Sequence, residues 1–129
     1  MIAGFVAPRF GRRLAYPSAA FDDLQARVDR VSFEIPPRND RGAIVEAVEA
    51  QIEQVGEMAH YLLKTERPDL ACVVFMATDQ LGHVAWVKRE AARENGEQIP
   101  DILLHTYQQV DAQIGRLLHR HKAWVCRRL

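Results

Sequence analysis

Leu70-Ala71-Cys72-Val73-Val74-Phe75-Met76-Ala77-Thr78-Asp79-Gln80-Leu81-Gly82-His83 is the stretch on which the reading of the fold turns. Its first eight residues are apolar without alternation, the pattern of a strand buried on both faces in an α/β sheet. The run ends at Thr78-Asp79, and His83 follows four positions on. Ligand sites in such sheets gather at the carboxyl ends of strands. A carboxylate and an imidazole at i, i+4 meet on one face when the chain between them is helical. They can then supply two ligands to one ion. A hydrolytic zinc site takes three or more protein ligands and keeps a position open for water or substrate. Asp79 and His83 are therefore half a site. The same residues admit a plainer reading, in which Asp79 is the N-cap of a helix and His83 lies in its first turn.

On the N-terminal side, Arg67-Pro68-Asp69 turns the chain into this run. Before it, Ile44, Val48, Ile52, Val55, Ala59 and Leu62 recur at helical spacing and predict a helix over 42–64, capped by Asn39 or Asp40. Glu46, Glu49, Glu53 and Glu57 make its solvated face. Residues 30–35 alternate as a half-buried strand, with Val31, Phe33 and Ile35 on one side, and Pro36-Pro37 stops it. A short helix over 19–29, capped by Ser18, would present Phe21, Leu24 and Val28. Residues 1–20 carry scattered prolines, glycines and arginines and read as an extended connector.

On the C-terminal side, residues 84–94 continue as a polar helix and Asn95-Gly96 is a turn signal. A second long helix is predicted over 100–121, with Pro100 in its first turn and a stripe of Leu103, Tyr107, Val110, Ile114 and Leu117. His105, His119 and His121 fall on it, the last two placed to meet the helix dipole, and His60 reads as a partly exposed residue of the first long helix.

Composition narrows the function classes. A chain of 129 residues holds one domain with a real core. Seventeen basic residues balance seventeen acidic ones, which argues against the clustered basic excess of a nucleic-acid footprint. The C-terminal Arg116, Arg120, Lys122, Arg127 and Arg128 read as solvated helix-end charge. No apolar stretch approaches the roughly 18 residues of a membrane span. Arg9, Arg12 and Arg13 stand where a signal peptide would need its apolar core, so a soluble, cytoplasmic chain is expected. The two cysteines make no disulfide framework, and Cys72 reads as a small buried hydrophobe. There is no P-loop or dinucleotide fingerprint, and no G-x-S-x-G, C-x-x-C or H-E-x-x-H.

Several short motifs, taken in order, resemble one family. Ala15-Tyr16-Pro17 and Glu34-Ile35-Pro36-Pro37-Arg38 are similar to the middle of the type I phosphodiesterase/nucleotide pyrophosphatase family of the alkaline phosphatase superfamily. Thr78-Asp79-Gln80-Leu81-Gly82-His83-Val84-Ala85-Trp86 resembles the family's strand end, T-D-x-x-x-H with an aromatic residue shortly after. Tyr107-Gln108-Gln109-Val110-Asp111-Ala112-Gln113-Ile114-Gly115-Arg116-Leu117-Leu118 resembles the helix that follows. The likeness covers residues 2–118, and residues 122–129 depart from it.

The resemblance implies two divalent ions, zinc by family habit, that polarise a phosphate ester while a Thr or Ser attacks phosphorus. Asp79 and His83 match two ligands of the ion on the water-activating side. The nucleophile and an earlier metal-binding Asp would lie before Met1, and the Asp-His-Gly segment and a final His after Leu129, so no catalytic residue is assigned within the chain. The expectation is a slice of a three-layer α/β/α domain, with the parallel strand 70–77 between two long helices. Within the single incomplete domain 1–129, residues 1–40 form a connector with a short helix and strand, and 41–121 a helix-strand-helix core. Such a chain would be inactive alone, and the complete enzyme would act on a small-molecule phosphate ester. The competing reading is a non-catalytic α/β interaction module in which Asp79 and His83 are structural.

Overall fold

The computed structural model describes residues 15–27, 41–96 and 101–122. Four helices form: α1 (Ala19–Arg27), α2 (Arg41–Thr65), α3 (Ala77–Glu94) and α4 (Ile102–Arg120). No strand or sheet is present among the described residues, so the expected α/β slice gives way to an all-helical arrangement. The predicted strand 30–35, Val28 and the caps Asn39 and Asp40 lie outside the described residues.

The core is built by helices packing on one another. Ile44, Val48 and Ile52 repeat every four residues along α2 and meet Ala77 and Leu81 of α3 and Leu103 of α4. Leu81 and Val48 are fully buried. Burial of side chains of this size contributes roughly 1.5–3 kcal/mol each. The second half of α2 turns to α1, where Met58, with Val55, Tyr61 and Leu62 beside it, packs on Leu24. Tyr61 also donates its hydroxyl to Asp23 of α1 at 2.7 Å.

The expected buried strand is a correction. Residues 71–75 form no helix or strand, and the segment is exposed at Leu70 (84%), Cys72, Val73 and Val74. A strand buried on both faces needs hydrogen-bonded neighbours, because its N–H and C=O groups lose water on burial. None of the described segments supplies one, and Phe75 packs partly on the helical core. Cys72 is likewise an exposed thiol, not a buried one. The helices predicted to cover the strand cover each other.

The run ends where α3 begins, at Ala77, earlier than the sequence pattern suggests. Ala77, Leu81 and Ala85 share the inward face. Met76 is the N-cap and makes no side-chain capping bond, so Asp79 is not the cap but an acidic residue of the first turn. At the other end Asn95 donates its N–H to the Ala91 carbonyl, and Gly96 takes a φ of 70°, as the turn signal requires.

Asp101 caps α4, its carboxylate accepting from the Leu104 N–H at 3.0 Å. The inward face of α4 is Leu103, Thr106, Val110, Gln113 and Leu117. Tyr107 and Ile114, expected inside, are 59% and 42% exposed. The helix is rolled because Thr106 hides its hydroxyl in a 2.8 Å bond to the Ile102 carbonyl. Gln113 meanwhile lies against Gly56, where α2 has no side chain. No helix among the described residues is long and apolar enough to cross a membrane.

Candidate metal half-site

α3 places Asp79 and His83 one helical turn apart. Because successive turns stack, Asp79 Oδ1 and His83 Nε2 come within 3.5 Å. The side chains are 60% and 77% exposed, on the opposite side of the helix from Leu81. Two ligand bonds of roughly 2.0–2.2 Å span up to about 4.4 Å, so one ion reaches both atoms at this separation. The donor set, one carboxylate oxygen and one imidazole nitrogen, suits zinc and its neighbours. Asp79 also sits in the first turn of α3, where the helix dipole favours a negative side chain.

The other histidines go elsewhere. His105, in the first turn of α4 and not near its end, approaches Glu49 of α2 at 3.4 Å, and its ring also meets the Gln109 side chain. His60 of α2 faces His121, the C-cap residue of α4, at 2.9 Å. His119 is exposed. Among the described residues no group of three or more His, Cys, Asp and Glu comes together to hold a metal ion. Asp79 and His83 thus stand as a pair with no third such residue beside them among the described residues.

Sequence reading missed the Glu49–His105 and His60–His121 contacts. Both join helices distant in sequence, and nothing in either local pattern signals them. It also missed the small cavity where α2, α3 and the extended run meet, lined by Gln51, Ile52, Val55, Val74, Phe75 and Gln80. Its free space is about 20 Å³, room for one water molecule and too little for a substrate. Gln51 Nε2 and Gln80 Oε1, a donor and an acceptor, are buried without a hydrogen-bond partner.

Chemically, an exposed carboxylate–imidazole pair can hold a divalent ion weakly or exchange a proton with solvent. It has no second ion site beside it among the described residues. No family model, curated protein or solved structure matches the chain.

Proposed function

We propose that this chain carries one half of the two-metal site of a phosphoric ester hydrolase of the phosphodiesterase/nucleotide pyrophosphatase type. Asp79 and His83 are the two ligands it supplies. The observation that supports this most is their convergence: the two residues singled out by the Thr78-Asp79-x-x-x-His83 motif bring their ligand atoms to 3.5 Å on an open face. The ordered motifs that follow, Trp86 and the segment from Tyr107 to Leu118, add to it. When bound, two divalent ions, zinc by the resemblance, would polarise the phosphate oxygens and stabilise the attacking and leaving oxygens, with Asp79 and His83 helping to hold one of them.

Within that reading Asp79 contributes charge neutralisation and His83 a neutral nitrogen, and α3 fixes their spacing. The remaining ligands and the nucleophile come from outside this chain, so the chain alone does not turn over a phosphodiester. The substrate class is a small-molecule phosphate ester.

A second reading has its own observation. Leu104, Tyr107, Ile114 and Leu118 leave an apolar strip exposed on α4, and Leu70 and Val74 are exposed beside α3. A non-catalytic helical interaction module would use such surface and leave Asp79 and His83 as a helix-end ion pair.

The coding sequence on both sides of this chain separates the two. A Thr or Ser following an apolar run upstream, and an Asp-His-Gly downstream, are expected for the hydrolase. The lack of both would support the interaction module and overturn the hydrolase.

A further inference from the structure

We propose that His60 and His121 form a proton-operated latch that holds the end of α4 against α2, closed while the pair shares one proton and open when both rings are charged. His60 Nδ1 and His121 Nε2 lie 2.9 Å apart, with the ring centroids 5.0 Å apart and the planes inclined by 53°. At that distance one nitrogen donates N–H and the other must accept through its lone pair. Two protonated nitrogens would set two donors head to head, which removes the hydrogen bond and adds charge repulsion.

The surroundings sharpen this response. The charged groups that act on His60 are Arg120 and His121 from α4 and Lys64 from its own helix, each positive or able to become so. On the side of α1, Asp23 is engaged by the Tyr61 hydroxyl. The same positive neighbours disfavour a metal cation between the rings. Partial burial first, then Arg120, His121 and Lys64, hold the His60 imidazole below its usual range.

The sign follows from proton counting. The folded-state pKa of His60 lies below the unfolded value of about 6.5, so the folded chain binds fewer protons in that window. The stabilisation is complete above about pH 6.5 and is lost as pH falls through the lowered folded value. The place where it is lost is local. Beyond half-buried Leu117, the last turn of α4 is exposed at Leu118, His119 and Arg120, so the His60–His121 contact ties this end to α2. Mild acid therefore frees the end of α4 while the core around Leu81 stays packed.

Hydrogen exchange of the full chain, read by mass spectrometry at about pH 7.5 and about pH 5 with intrinsic rates corrected, tests the latch. Wild type and His119→Gln should lose protection over residues 114–121 several-fold more than over 44–55 on acidification. His60→Gln and His121→Gln should show low protection there at both pH values, with the pH effect gone. An identical pH response in all four proteins would overturn the latch. Ring-proton NMR titration of the wild type needs no variant. The His60 ring should titrate below the usual imidazole range, and a His60 titration at the usual value would overturn the latch equally.

Discussion

Gly56 of α2 lies so close to the side-chain amide of Gln113 of α4 that a Cβ at Gly56 would overlap it. Both residues are buried, and the missing side chain on one helix is what admits the long polar side chain of the other. Two effects then compete when Gly56 is replaced by Ala. The helix interior gains about 1 kcal/mol in propensity, and the overlap costs roughly 1–3 kcal/mol unless Gln113 can swing aside. A double-mutant cycle measured by urea unfolding decides between them. Gly56→Ala should stabilise the Gln113→Ala background by about 1 kcal/mol and be neutral or destabilising in the wild type. Equal effects in both backgrounds would show that the two residues are not in contact.

The exposed position of the 70–76 run makes a second expectation. Val74→Ser should change stability by less than about 0.5 kcal/mol, as surface substitutions do. Leu81→Ala, in the fully buried centre, should cost roughly 2–5 kcal/mol. Comparable large losses for both, read from the same denaturation curves, would restore the buried strand.

The cap of α4 supplies a third. Asp101→Ala removes the acceptor of the Leu104 N–H and should cost about 1 kcal/mol, whereas Asp101→Asn, which keeps an acceptor oxygen, should cost much less. Thermal unfolding of the two variants side by side checks it, and an equal loss would place the effect outside the cap.

Much of the helical layout was legible in the chain itself. The four-residue recurrence of Ile44, Val48 and Ile52 announces α2, because apolar spacing and buried face are the same fact in a helix. The run from Leu70 to Ala77 misled because an uninterrupted apolar stretch states only that burial would be favourable, not that any neighbour is there to provide it. The inward face of α4 was misjudged for a related reason. Hydropathy assigns Tyr107 and Ile114 to the interior, yet Thr106 satisfies its own hydroxyl and Gln113 finds a gap at Gly56, so two polar residues take those places. The i, i+4 meeting of Asp79 and His83 was readable because a single helix determines it. The His60–His121 contact spans 61 positions and depends on how α2 and α4 pack, which no local pattern encodes.

Zinc binding to the full chain, followed by isothermal titration with the His83 ring signals read by NMR, tests the central claim most directly. The account expects weak binding that shifts the His83 ring. Removing one first ligand costs more than removing a supporting group, so Asp79→Ala or His83→Ala should weaken affinity by at least about 10-fold. His60→Gln combined with His105→Gln should leave the affinity unchanged, since those histidines face other partners. Zinc affinity indifferent to Asp79→Ala and His83→Ala, or lost with His60 and His105, would contradict the account.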